Sequence, residues 1–85
     1  MIIQLYDGFL EIERFTGVRR VEEGMKRIAS YMAKHNLRDC NAYQLVKGEM
    51  TGRGWRIFKS MDTFFYRVNE SMKRPVNLGK TEDFL

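Results

Sequence analysis

The residues with the broadest chemistry in this chain occur once each, as His35 and Cys40. A histidine base beside a nucleophile drives many hydrolases, and a spacing of five positions can suit two metal ligands. Two ligands do not complete a metal site, and the sequence has no further histidine or cysteine. We therefore expect no metal site. His35 is expected at the surface near the C-terminal end of a helix, where a histidine is favourable, and Cys40 is expected to be a small, half-buried residue.

Two further patterns match catalytic motifs only in part. Glu11 and Glu13 lie on one face of an expected strand, as paired catalytic carboxylates do, but nothing deep and apolar is available to raise a carboxylate pKa. The glycines of residues 48–54 are spaced as in a phosphate loop, without its Gly-Lys-Ser/Thr ending. We expect a solvated strand face and a hairpin turn, and we predict no catalytic residue and no cofactor.

Basic and aromatic residues interleave between residues 52 and 67, and this pattern points to nucleic acid. Nucleobases stack on exposed rings, and Arg or Lys neutralises phosphates. The predicted nucleic-acid-binding residues are Arg53, Trp55, Arg56, Lys59, Arg67, Lys73 and Arg74. The alternative is that the large apolar residues here form the core: Trp55, Ile57, Phe64 and Phe65. Even then, the arginines and lysines remain a candidate basic surface.

The composition is that of one small folded domain. The chain has 85 residues, of which 44% are apolar and 31% charged, and it carries a net charge of +4. Between Lys47 and Lys80 there are eight basic residues against three acidic ones. A basic half favours acidic partners, which include nucleic acid, anionic membrane surfaces and acidic protein faces.

Cysteine use and hydropathy indicate where the protein works. A single cysteine cannot form an intrachain disulfide, which is typical of a reducing compartment. The first residues lack the basic and apolar regions of a secretory signal, and no apolar stretch approaches the length of a membrane span. We therefore expect a cytoplasmic protein that does not interact with membranes.

The elements that would position these residues begin with a hairpin and a helix. Asp7-Gly8 predicts a type I′ turn, which places Leu5 opposite Leu10 and Ile3 opposite Ile12 on one apolar face. A helix is expected from about Val18 to Asn36, with Thr16 as its N-cap. Its apolar stripe consists of Val18, Val21, Met25, Ile28, Ala29 and Met32.

The second half is more ambiguous. Residues 41–50 and 55–60 predict a second hairpin with its loop at 51–54. Residues 62–73 are expected to form a short C-terminal helix that Pro75 would stop, although Phe64, Tyr66 and Val68 also alternate as in a strand. Residues 75–85 are expected to form an irregular tail, from which Phe84 and Leu85 could dock on the body of the domain.

The predicted fold is α+β, a small antiparallel sheet built from two β-hairpins and packed against one long helix and a short C-terminal helix, in a single domain of residues 1–85. A competing prediction makes residues 41–47 and 55–61 helices, as in a helix-turn-helix. Gly52 and Gly54, at the start of the would-be recognition helix, count against it.

Parts of the second half resemble the ribosome-dependent RNase toxins of the RelE type. The resemblance rests on Leu45-Val46-Lys47-Gly48, Trp55-Arg56-Ile57, Phe65-Tyr66-Arg67-Val68 and Leu78-Gly79-Lys80. It implies RNA-contacting or catalytic roles for Arg56, Lys59, Arg67 and Lys80. The chain departs from that family in its predicted initial hairpin and single helix, where the family has one strand and a helical pair. It also has Lys80 in place of the closing arginine and Phe84 in place of a tyrosine.

Two functions fit these observations about equally well. One is a non-enzymatic module that binds RNA or DNA through its basic and aromatic hairpin. The other is a protein-binding inhibitor or adaptor of phage or mobile-element type. Its contacts would be exposed aromatic residues such as Tyr6, Phe9, Tyr31 and Trp55. Edge strands could also pair with a second copy and form a homodimer, and a RelE-like RNase is a lesser alternative.

Overall fold

The computed structural model describes residues 1–69 and 74–85 and confirms a small α+β fold. Six strands form one antiparallel sheet in the order β2-β1-β3-β4-β5-β6. The elements are β1 (Ile2–Asp7), β2 (Leu10–Phe15), α1 (Val21–Lys34), β3 (Asp39–Val46), β4 (Glu49–Ser60), β5 (Thr63–Val68), β6 (Val76–Lys80) and a 3₁₀ turn (Thr81–Asp83). Within the described ranges, no helix has the length and apolar character needed to cross a membrane.

The core lies between α1 and one face of the sheet. Successive side chains of a strand point to opposite faces, so every second residue of the central strands is buried against the helix. The sheet contributes Ile3, Leu5, Cys40, Ala42, Trp55, Ile57 and Phe64, and the helix contributes Met25, Ile28, Ala29 and Met32. The predicted apolar stripe of the helix is therefore the face that packs on the sheet.

The helix is shorter than its apolar periodicity predicts. It begins at Val21 after Arg20, whose extended backbone makes it the N-cap, and it ends at Lys34. Val18 is buried but precedes the helix, and its backbone N–H donates to the carbonyl of Met1. The prediction of Thr16 as the N-cap is wrong, because the helix begins at Val21 and Thr16 precedes it by five residues. The Thr16 carbonyl accepts a hydrogen bond from the guanidinium of Arg27.

The first hairpin forms, but its predicted register is wrong. Asp7 pairs with Leu10, so the loop is Gly8-Phe9, and a bulge between Leu5 and Tyr6 shifts the later pairs. Only Gly8 of the two loop residues has a positive φ, at 62°, which is the type II′ pattern rather than type I′. As a result Phe15 enters the core opposite Ile3, and Leu10 is exposed.

The second hairpin also forms, with its turn earlier than predicted. The turn lies at Lys47-Gly48, where both residues have positive φ, as a type I′ turn requires. Residues 51–53, predicted as the loop, belong to β4. The pairing of β3 with β4 shifts register between Tyr43 and Leu45, opposite these residues. Because residues 41–46 and 55–60 are strands, the helix-turn-helix alternative is wrong.

The predicted C-terminal helix is a strand over its described part. Residues 63–68 form β5, which pairs with β4 on one side and β6 on the other. A strand buries Phe64 and turns Phe65 to the opposite face, and its backbone completes hydrogen bonds that β4 would otherwise leave open. The prediction of an irregular tail is wrong, because residues 76–80 form β6. After this strand, Phe84 docks on Phe64 with ring centroids 5.7 Å apart. The remainder of the predicted helix, residues 70–73, lies outside the described residues.

Candidate functional site

The face of the sheet opposite α1, here called the open face, carries a continuous row of polar and aromatic side chains. Strand register defines this row, since directly paired residues share a face. From β5 to β2 its members are Arg67, Arg56, Asn41, Tyr6 and Glu11. The row crosses five of the six strands, so residues distant in sequence become neighbours.

Next to this row, Phe58 of β4 pairs with Phe65 of β5. Their rings stack with centroids 5.7 Å apart and an angle of 21° between planes. Both rings are half-buried, and with Ser60, Arg74 and Pro75 they line a shallow groove of about 390 Å³. We call Phe58 and Phe65 the aromatic platform, because the two rings stack on each other and are partly exposed on the open face.

An ion pair holds Arg56 against the platform. Its Nε lies 3.1 Å from Oδ1 of Asp39, and its Nη2 lies 2.7 Å from Oδ2, so the contact is bidentate. This hydrogen bonding to Asp39 raises the pKa of Arg56 above its usual value. The guanidinium carbon is also 4.8 Å from the centroid of the Phe58 ring. The arginine is thus oriented by a carboxylate on one side and a ring on the other.

The structure divides the predicted nucleic-acid-binding residues between two faces. Arg56 and Arg67 lie on the open face, and Arg74 borders the platform groove. Arg53 and Lys59 instead approach core rings, with the Arg53 guanidinium 5.2 Å from the centroid of Trp55 and the Lys59 ammonium 5.9 Å from that of Phe64.

Trp55 itself is 1% exposed, so its ring fills the core and offers no surface on which a base could stack. Period-two alternation along β4 causes the division, because residues 55, 57 and 59 share the helix-bearing face. The seventh predicted residue, Lys73, lies outside the described residues. The residues that the RelE-type resemblance singles out divide in the same way, with Arg56 and Arg67 on the open face and Lys59 on the other.

Sequence reasoning missed both residues of the platform. Phe65 enters the sequence prediction only as a member of the alternative core, and Phe58 is not among the predicted binding residues. A usable signal was present, because a strand that buries Trp55 and Ile57 must turn Phe58 to the opposite face. The position of Phe65 follows from the pairing of β5 with β4. The sequence predicted a helix over these residues and therefore could not place Phe65 beside Phe58.

The far end of the open face carries a second aromatic pair. Tyr6 of β1 and Tyr43 of β3 meet edge to face, with centroids 5.6 Å apart and planes at 77°. The Tyr43 ring lies over Gly54, where an added Cβ would come within 2.8 Å of it. A groove of about 530 Å³ opens beside this pair, lined by Tyr6, Gly8, Phe9, Asn41, Tyr43 and Met50.

The residues with catalytic or metal-binding potential are not assembled into a site. Burial raises the pKa of the Cys40 thiol to about 11, with nearby Asp7 and Asp39 adding to the effect. The His35 ring contacts the Tyr31 ring at 4.1 Å between centroids. Glu11 forms an ion pair with Arg14. In the ranges that the structure describes, no three His, Cys, Asp or Glu side chains come together as metal ligands would.

No protein-family profile, curated protein or solved structure significantly matches this chain. The arrangement itself combines stacked rings, oriented guanidinium groups and amide side chains on one solvent-facing surface. Those groups can contact planar apolar rings, anions and hydrogen-bonding edges.

Proposed function

We propose that this protein is a non-enzymatic module that binds single-stranded nucleic acid through the open face of its sheet. The observation that carries the proposal is the aromatic platform with arginines around it. Phe58 and Phe65 are stacked beside Arg56 and Arg67, and Arg74 borders their groove. Rings that stack bases next to cations that neutralise phosphates are the two components of single-strand recognition.

A single strand suits this surface better than a duplex. The rings of Phe58 and Phe65 are partly exposed on a sheet face, where a planar group can contact them. Bases of a duplex are already stacked on each other, whereas an unpaired base can lay its face on a protein ring. Sheets with exposed aromatic residues bind single-stranded RNA in this way in other proteins.

The charge on the open face supports an anionic ligand. Arg56 and Arg67 are directly paired across β4 and β5, so two guanidinium groups lie on the same part of the open face. A phosphate near both groups would gain charge-assisted hydrogen bonds. The net charge of +4 attracts polyanions over longer distances.

The test is fluorescence anisotropy with labelled single-stranded RNA, single-stranded DNA and duplex DNA, at low and at physiological salt. We expect single strands to bind best and affinity to fall as salt rises, through counterion release. Phe58→Leu keeps an apolar side chain but removes the ring, and we expect about a fivefold to hundredfold loss, as is usual for a stacked base.

Charge is tested separately with Arg67→Gln and a matched control, Arg19→Gln, which removes an exposed charge from the loop before α1. Only Arg67→Gln should weaken binding substantially. The proposal is wrong if no nucleic acid binds at low salt, or if Phe58→Leu and Arg67→Gln both bind as the unmodified protein does. Shortening of the RNA during the assay would instead favour the RNase alternative.

A protein-binding module remains the second candidate because of one specific feature. Phe9, at the tip of the first hairpin, is fully exposed, and neighbouring Leu10 is 69% exposed. Exposed aromatic residues are common contact points between proteins. Binding of a protein partner that is insensitive to salt and is lost in Phe9→Ala would favour this function.

A further inference from the structure

We infer that the groove beside Tyr6 and Tyr43 is a second nucleobase subsite, whose amide group at Asn41 reads the edge of the base. This inference rests on the proposed function and extends it from a single stacking platform to a path across the sheet. The groove, here called the Tyr43 groove, is lined by Tyr6, Gly8, Phe9, Asn41, Tyr43 and Met50.

The strand register joins this groove to the platform. Asn41 pairs with Arg56 on one side and with Tyr6 on the other, so a single row leads from the arginines to the groove. Phe58 and Tyr6 are separated by two strand spacings and by two residues along the strand. Their backbones are therefore about 12 Å apart, from ordinary sheet dimensions. A short single strand can span this distance with a phosphate near Arg56.

The groove has the composition of a site for a planar ligand. Tyr6, Tyr43 and Phe9 supply ring surfaces, and Met50 adds an adaptable apolar wall. Its volume of about 530 Å³ is within the range of small-molecule sites and is ample for one nucleobase with its sugar. Its walls are mainly apolar with few polar groups, which is the usual balance for such sites.

The polar groups of the groove are available for a ligand. The side-chain amide of Asn41 makes no hydrogen bond with any other described residue, and neither do the hydroxyls of Tyr6 and Tyr43. These three groups can therefore bond to a ligand in the groove without first losing a partner within the described residues.

The Tyr43 ring is held in place before any ligand arrives. It rests on Gly54, where a Cβ would meet it at 2.8 Å, and it contacts the Tyr6 ring edge to face. A fixed ring loses little conformational freedom on binding, which favours affinity. An amide offers one donor and one acceptor side by side, a pattern that matches the adenine edge. We therefore expect adenine to be preferred in the Tyr43 groove.

The experiment measures anisotropy with single strands of about two to about ten nucleotides, as oligo-A and oligo-U RNA and oligo-dA and oligo-dT DNA, within the site sizes usual for small single-strand-binding domains. Strands long enough to reach both sites should bind the unmodified protein at least about fivefold more tightly than the shortest strands. Asn41→Ala should remove that gain and the preference for A, while leaving the shortest strands unaffected.

Two further variants separate the groove from folding effects. Phe9→Ala removes a fully exposed ring from the groove wall and should also reduce the gain with length. Gln44→Ala removes an amide from the same strand but from the position opposite Ile3, on the helix-bearing face, and should bind as the unmodified protein does. Circular dichroism of each variant verifies that the sheet is intact.

The outcomes distinguish the two proposals. If Phe58→Leu weakens binding but Asn41→Ala and Phe9→Ala leave affinity unchanged at every length, the second subsite is wrong and the proposed function stands. If Asn41→Ala weakens binding and Phe58→Leu does not, the Tyr43 groove stands and the platform is wrong. If the unmodified protein binds none of these strands at low salt, both are overturned.

Discussion

Arg56 and Arg67 lie directly opposite each other on β4 and β5, so two like charges share the solvent-facing side of the sheet. Asp39 forms a bidentate ion pair with Arg56, and it lies opposite Phe58, within the same open face. The Asp39 carboxylate therefore opposes positive charge where we propose that phosphates bind. This relationship makes Asp39 a sensitive position for testing the function.

Asp39→Asn should strengthen single-strand binding. The change removes a negative charge from the open face and leaves the Arg56 guanidinium free to contact a phosphate. The Arg56 and Asp39 side chains are 39% and 53% exposed, so water screens the pair and the loss in stability should be no more than about 1 kcal/mol. Anisotropy at low salt measures the affinity, and urea denaturation measures the stability.

Glu82→Gln is the matched control for that variant. It also removes one exposed negative charge, but from the 3₁₀ turn next to Phe84, whose carbonyl accepts a hydrogen bond from Ser30 of α1. A general charge effect would raise affinity equally in both variants. Equal changes would contradict a specific role for the open face.

Replacement by alanine should mainly reduce stability at Phe64 and mainly reduce binding at Phe65. Phe64 is fully buried, so Phe64→Ala should cost about 3–5 kcal/mol, a large fraction of the total stability of a domain of this size. Phe65 is half-buried and stacks on Phe58 at the surface, so Phe65→Ala should cost less but weaken binding of single strands. Denaturant unfolding and anisotropy on both variants check the prediction. Comparable losses of stability would contradict the assignment of the two faces.

Gly24→Ala should destabilise the protein, although alanine normally stabilises a helix relative to glycine by about 1 kcal/mol. A Cβ at residue 24 would lie 2.9 Å from side-chain carbons of both Ile3 and Val18. Because Ile3 and Val18 are both buried, their side chains or the helix would have to shift, which disturbs the core packing. Thermal unfolding measures the change, with Glu23→Ala on the exposed face of α1 as a control. A higher melting temperature for Gly24→Ala would show that this contact is easily relaxed.

The raised pKa of Cys40 predicts a loss of stability in alkaline solution. An unfolded thiol ionises near pH 9.0, whereas burial keeps the folded thiol protonated until about pH 11. The unfolded chain therefore releases its proton first, and the free energy of unfolding falls as the pH rises through this interval. Denaturation between pH 8 and pH 11 should show a steeper decline for the unmodified protein than for Cys40→Ala.

Tyr66 acts in the same direction in both proteins, because burial, with a smaller effect from Glu22, raises its pKa too. The comparison of slopes therefore isolates the cysteine. Identical slopes in the two proteins would mean that the Cys40 thiol is not held protonated by the fold.

The elements of the first half and the charge distribution of this protein can be predicted from its sequence alone. Turn residues and alternation predicted that two hairpins form, although the register of the first and the turn of the second were wrong. The 3.6-residue stripe of residues 25–32 predicted the buried face of α1. These patterns depend on neighbouring residues, so no knowledge of distant contacts is needed. The excess of basic residues after Lys47 likewise follows from the sequence without any structure.

The tertiary structure decided the state of residues 63–68, the register of β2 and the candidate site, because each of these depends on which strands pair. Residues 63–68 satisfy both a helical and an alternating pattern, and the open edge of β4 selected the strand. The bulge in β1 set which residues of β2 enter the core. The candidate site exists only through register, since pairing joins Arg67, Arg56, Asn41 and Tyr6 into one row, and strand alternation removes Trp55 and Lys59 from it.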